Sequence, residues 1–196
     1  MSVTIFKERP AITCGILASL LYVAGDILGA LWWEGYSYTS QTISELGAIG
    51  APSRPLGIPI SILHNALLIA FAIGVRRSAT AKRGLRVTAG LLIGVAIIGE
   101  VTALFFPMHL RGAEQTLTDT MHIIFTGVNV FLIVLAMGFA ATALGKRFRL
   151  YSIASILMLL FFGALAGMDG PTLRQTCPRR GWASPNAFRS APMFFG

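Results

Sequence analysis

The sequence predicts an all-α fold, an integral membrane bundle of five transmembrane helices, and three observations carry that prediction. Only 12% of residues are charged against 55% apolar, where a soluble domain carries about a quarter charged. Mean hydropathy is +0.71. The apolar residues also fall into blocks of roughly twenty, the number an α-helix needs to cross a hydrocarbon layer about 30 Å thick.

The first helix is predicted over residues 11–33. It follows Lys7 and Arg9 as a secretory signal would. It is long, however, holds Asp26 and ends in bulky Trp32 and Trp33 rather than in small residues, so it is expected to be retained. The remaining blocks span 56–75, 85–106, 121–144 and 150–168, each long enough to cross. Residues 1–170 therefore form one bundle domain. Residues 171–196 form a basic tail, rich in proline and without helical period, that is expected to be disordered.

The net charge of +8 would suggest nucleic acid in a soluble protein, but here the cations sit in short connections and report orientation. Lys and Arg number two before the first helix, one in 34–55, five in 76–86, one in 107–120 and three in 145–149. The positive-inside rule then places the N-terminus in the cytoplasm of a bacterial-type inner membrane and turns the two nearly uncharged loops outward. Arg174, Arg179, Arg180 and Arg189 in the tail fall on the wrong side of that pattern. Cys14 and Cys177 have neither metal-ligand spacing nor a disulfide framework around them.

An ionisable group inside a bilayer costs on the order of 3 kcal/mol, so each needs a partner or a purpose. Seven of the eight acidic residues, all but Glu8, fall on the outer side. Asp26, Glu100, Asp119 and His122 lie in the outer halves of helices, and His109 lies in an outer loop. Asp119, His122, Thr126 and Asn129 recur three, four and three residues apart, one helical stripe that should not face lipid. Ser61, His64 and Asn65 form a shorter patch on the second helix. Should the two faces meet, His64 and His122 with Asp26 or Glu100 would have the chemistry to bind a ligand, relay protons or hold a metal. The bland alternative is that they satisfy one another between helices. No His-x-x-x-His or His-Glu-x-x-His spacing occurs, so no metal and no cofactor is assigned.

In the first outer loop, Thr42 and Glu45 have the spacing of a capping box and Gly47 is a plausible stop, which predicts a short interfacial helix. Trp32, Trp33, Tyr36 and Tyr38 suit the headgroup belt. Ser40, Ser44 and Glu45 are candidates for touching a headgroup, or for nucleophile and base, although capping alone accounts for Glu45. Gly25 with Gly29, Gly90 with Gly94 and Gly163 with Gly167 are small-xxx-small pairs, suited to packing within the bundle or to a homo- or hetero-oligomer.

Ser40-Gln-Thr-Ile-Ser-Glu-Leu-Gly-Ala48 with Pro52, then Phe106-Pro-Met108, then Asp119 with His122, resemble the bacterial membrane family named domain of unknown function 998. The resemblance covers residues 11 to about 170 and implies a six-helix inner-membrane protein with no assigned activity. This chain lacks the Gly-Leu-x-Glu-Arg segment and the sixth helix that the resemblance implies. Codon degeneracy allows Pro171 to Gly196 to be encoded by DNA whose shifted frame reads DLPTPRVGLTERVSVGAYVLR, which restores that segment. A frameshift near Gly170 or Pro171 is therefore expected, and it accounts for the misplaced arginines.

The leading functional expectation is a non-enzymatic bundle that meets membrane lipids and binds a small molecule, an ion or a lipid headgroup from outside. One alternative is an intramembrane metal-dependent hydrolase acting on lipids, with His64, His122 and a carboxylate around a metal-bound water. The other is a structural partner of another membrane protein. No internal repeat of the transporter kind is evident, and no nucleic-acid partner is expected.

Overall fold

The computed structural model describes residues 9–79 and 82–176, with side chains over 10–79 and 82–165. Five α-helices run through them: α1 (Arg9–Trp32), α2 (Arg54–Ser78), α3 (Arg83–Phe105), α4 (Leu117–Ala143) and α5 (Lys146–Thr176). All five carry stretches long and apolar enough to cross a membrane. The protein is a multi-pass membrane helix bundle, as its hydropathy predicts.

Observed helices outrun several predicted blocks because polar residues cap them beyond the apolar core. Pro55 opens α2 and Arg76 with Arg77 close it, the arrangement that the helix dipole and proline's missing N–H favour. Thr116 and Asp119 open α4 with a capping box. The backbone of α5 stays helical to Thr176, past the 170/171 boundary drawn from sequence. Residues 177–196 of the expected tail lie outside the described residues.

Consecutive helices pack on one another, α1 on α2, α2 on α3 and α3 on α4, with α5 touching α4 more sparsely. Only Leu144 and Gly145 join α4 to α5, and Gly145 turns at a φ of +90° that a side chain would resist.

The buried positions are small. Ala18, Ala72, Ala89, Ala96, Ala136 and Ala140 are buried, while Leu31, Trp32, Phe105 and Leu150 are each about two-thirds or more exposed. Lipid is as apolar as leucine, so large side chains gain little by turning inward, and helices cohere through close backbone approach. A Cβ on Gly25 would come within 2.6 Å of Ile60 Cγ2, and Gly29 sits against Leu46 and Ser53. That glycine pair therefore serves packing within the bundle. Thr88 adds a polar tie: its hydroxyl bonds to the Gly84 carbonyl at 2.9 Å and reaches the Ala136 carbonyl of α4 at 3.3 Å.

Candidate functional site

The two longer connections, which bound the C-terminal ends of α1 and α3 and the N-terminal ends of α2 and α4, lie at one end of the bundle. In the first, the capping box predicted from Thr42 and Glu45 is present, and Ile43–Gly47 forms a 3₁₀ helix. The Thr42 N–H donates to Glu45 Oε1 at 2.9 Å. Glu45 is 2% exposed, and its carboxylate also receives Arg111 of the second loop, Nε at 2.8 and 3.0 Å and Nη2 at 2.7 Å. A backbone bond from Ile49 N–H to the Met108 carbonyl, 2.8 Å, joins the loops again.

The second loop repeats the device. Asp119 caps α4 by accepting from Thr116 N–H at 2.9 Å, and it accepts from the His109 N–H at 2.7 Å. The His109 ring nitrogen Nδ1 lies 2.9 Å from the same carboxylate. Glu45, His109 and Asp119, all candidates from sequence, are thus engaged in tying the loops rather than lining an opening. Ser40 is exposed in the first loop. Burial pushes the Tyr36 phenol above its ordinary pKa, and the carboxylates of Asp26 and Glu45 add to the rise.

Beneath these loops a cavity of about 460 Å³ opens between α1, α2, α3 and α4. Asp26, Ser44, His64, His122 and Asn129 line it, all five candidates from sequence. Ser61 and Asn65 join them, so polar residues of α2 and α4 line the same cavity. Glu100 stands behind Asn65, whose amide donates to it at 2.6 Å. Thr126, placed on the same stripe of α4, is exposed and lies outside the lining; a threonine hydroxyl can turn back onto its own helix, so its exposure costs little. Gly99 lies between the two amides: a Cβ there would stand 3.4 Å from Asn129 Nδ2 and 3.8 Å from Asn65 Oδ1. The remainder of the wall is largely apolar, with Ile58, Ile60, Val95 and Ile133 among it.

Both cavity histidines are oriented by main-chain carbonyls. His64 Nδ1 lies 2.9 Å from the Ala18 carbonyl, and His122 Nδ1 lies 2.8 Å from that of Phe106. A carbonyl oxygen only accepts, so each Nδ1 donates its proton there and the ring's Nε2 takes no part in that bond. Asp26 Oδ1, Glu100 Oε1 and Asn129 Oδ1 are buried without a hydrogen-bond partner. Among the described residues no three His, Cys, Asp or Glu side chains are grouped to hold a metal ion.

The fold and cavity define a multi-pass membrane bundle with a mostly apolar pocket that carries a few polar side chains at one end. The chain belongs to the family described as Protein of unknown function (DUF998), whose model matches residues 16–183. No curated protein matches the chain, and no solved structure does.

Sequence reasoning misses Arg111, and also two residues of the cavity wall: Tyr22, whose ring centroid lies 5.5 Å from that of His64, and Arg54, which donates to the Gly47 carbonyl. Arg111 has one signal in the sequence, as the single Lys or Arg between residues 107 and 120, but nothing in the spacing of residues points from it to Glu45.

Proposed function

We propose that this protein is a binding bundle of the bacterial inner membrane, with its N-terminus in the cytoplasm and its cavity open to the outer face, where it takes a small molecule or a lipid headgroup. One observation carries the reading: a cavity of about 460 Å³, within the size range of small-molecule sites, is walled by four helices and holds polar oxygens of Asp26 and Asn129 that the protein itself leaves unpartnered. Unpaired buried acceptors cost about 1–3 kcal/mol each, a cost that water or a ligand would relieve. The orientation rests on the cation-rich connections at the opposite end of the bundle, where Arg76, Arg77, Lys82 and Arg83 flank one turn and Lys146 and Arg147 the other.

The test is labelling of a single cysteine. With Cys14 and Cys177 replaced by serine, Ser61→Cys is expected to react with a membrane-impermeant maleimide added to intact cells, and Gly57→Phe in the same chain is expected to slow that reaction. Gly57 lines the cavity, and a Cβ on it meets no atom within 4 Å, so the position has room for a larger side chain at the wall. Labelling only from the cytoplasmic side would overturn the orientation, and no labelling from either side would overturn the wet cavity.

A further inference from the structure

The donor and acceptor inventory of the cavity wall identifies the chemical class of its occupant. Several donors on the wall are spent on the protein. His64 and His122 give their Nδ1 protons to carbonyls, Asn65 gives its amide to Glu100, Ser61 donates to the Ile58 carbonyl at 2.9 Å, and Ser53 donates to that of Leu46 at 2.7 Å. The buried side-chain atoms of the wall that stay unpartnered are both acceptors, the oxygens of Asp26 and Asn129. Charge points the same way. Asp26 lies on the wall, Glu100 stands one hydrogen bond behind it through Asn65, and the single Lys or Arg in the lining, Arg54, is engaged by the Gly47 carbonyl at the loop side.

An anion placed here would face the Asp26 carboxylate, and a purely apolar guest would leave the Asp26 and Asn129 oxygens unpaired. An inorganic divalent cation wants six or more oxygens around a compact centre, which a wide and mostly apolar wall does not offer. We infer that the cavity takes an organic cation, a primary ammonium carried on an apolar body, with Asp26 as its counter-charge. The ammonium supplies three donors to the acceptors, and the apolar body covers Ile58, Ile60, Val95 and Ile133. This inference rests on the binding-bundle reading above and narrows it.

Full-length protein in phosphatidylglycerol nanodiscs, equilibrated with radiolabelled phenethylamine at neutral pH, tests it against the shape-matched anion 3-phenylpropionate. Phenethylammonium is expected to bind saturably and 3-phenylpropionate is not. Asp26→Asn is expected to weaken the amine at least tenfold, and Gly57→Phe to abolish binding. Should Asp26→Asn fail to give a monodisperse protein, Asn129→Leu takes its place, with an expected loss of threefold or more. Displacement by added phosphatidylethanolamine would assign the amine to a lipid headgroup, and no displacement would assign it to a free amine; both support the ammonium site. Equal or tighter binding of the anion, an Asp26→Asn protein of unchanged affinity, or no amine binding by protein whose Ser61→Cys variant still labels from outside would overturn it while leaving the open cavity standing.

Discussion

Glu45 and Arg111 form a bidentate ion pair between the two loops that roof the cavity, with Arg111 Nε and Nη2 both within 3.0 Å of the carboxylate. The same carboxylate caps the 3₁₀ helix through the Thr42 N–H, so one buried group fixes both the shape of the first loop and its seat on the second. Ser44 and Leu46, its neighbours, line the cavity. Arg111→Gln is expected to lower stability by about 2 kcal/mol, the scale of a hydrogen bond to a charged group. Thermal unfolding of the purified protein in detergent measures it, and a Glu45→Gln, Arg111→Gln double mutant should lose less than the sum of the single losses. Additive losses would show that the pair is not coupled.

Asp119 plays the corresponding part for α4. Asp119→Ala removes a helix cap and the acceptor for the His109 backbone, and is expected to cost about 1–2 kcal/mol. His109→Asn keeps the cap and should cost less. The two variants compared in the same unfolding assay separate capping from loop tethering.

Asn65 is the only side chain seen to hydrogen-bond Glu100 among the described residues. Asn65→Leu is expected to destabilise by about 2 kcal/mol because it strands a carboxylate inside the bundle, and adding Glu100→Gln should recover part of that loss. An Asn65→Leu protein as stable as the parent would mean that Glu100 finds its partner in water.

Glycines of similar sequence context should respond oppositely. Gly25→Leu drives a side chain into Ile60 and is expected to disperse poorly on size exclusion, whereas Gly90→Leu meets no atom within 4 Å of its Cβ and should behave as the parent does. Similar profiles for both would mean that α1 and α2 can separate at no cost.

The reading frame is directly checkable. The coding DNA is expected to contain the peptide DLPTPRVGLTERVSVGAYVLR in an alternative frame overlapping Pro171 to Gly196, and its absence from all frames would retire the frameshift.

Part of the site's membership is legible in the order of residues. Asp26, His64, His122 and Asn129 stand out because each is polar within a run that lipid would otherwise cover, and all four line the cavity. Less legible is how each polar group is spent. Thr42 with Glu45 and Thr116 with Asp119 announce caps by spacing alone. That those two carboxylates also reach Arg111 and His109 depends on contacts 66 and 10 residues away along the chain. Thr126 misleads for the same reason, since a stripe defines a face of a helix but not what that face meets.

Spanning helices, their number among the described residues, and the end at which polar side chains gather follow from the amino-acid sequence alone, because the cost of moving each group from water to hydrocarbon accumulates locally along a helix. Which of those groups oppose one another across a cavity, and which are consumed in caps and loop ties, was settled only by packing. The cavity shared by α2 and α4 and the close seats at Gly25 and Gly99 arise from contacts between distant segments, and no local pattern encodes them.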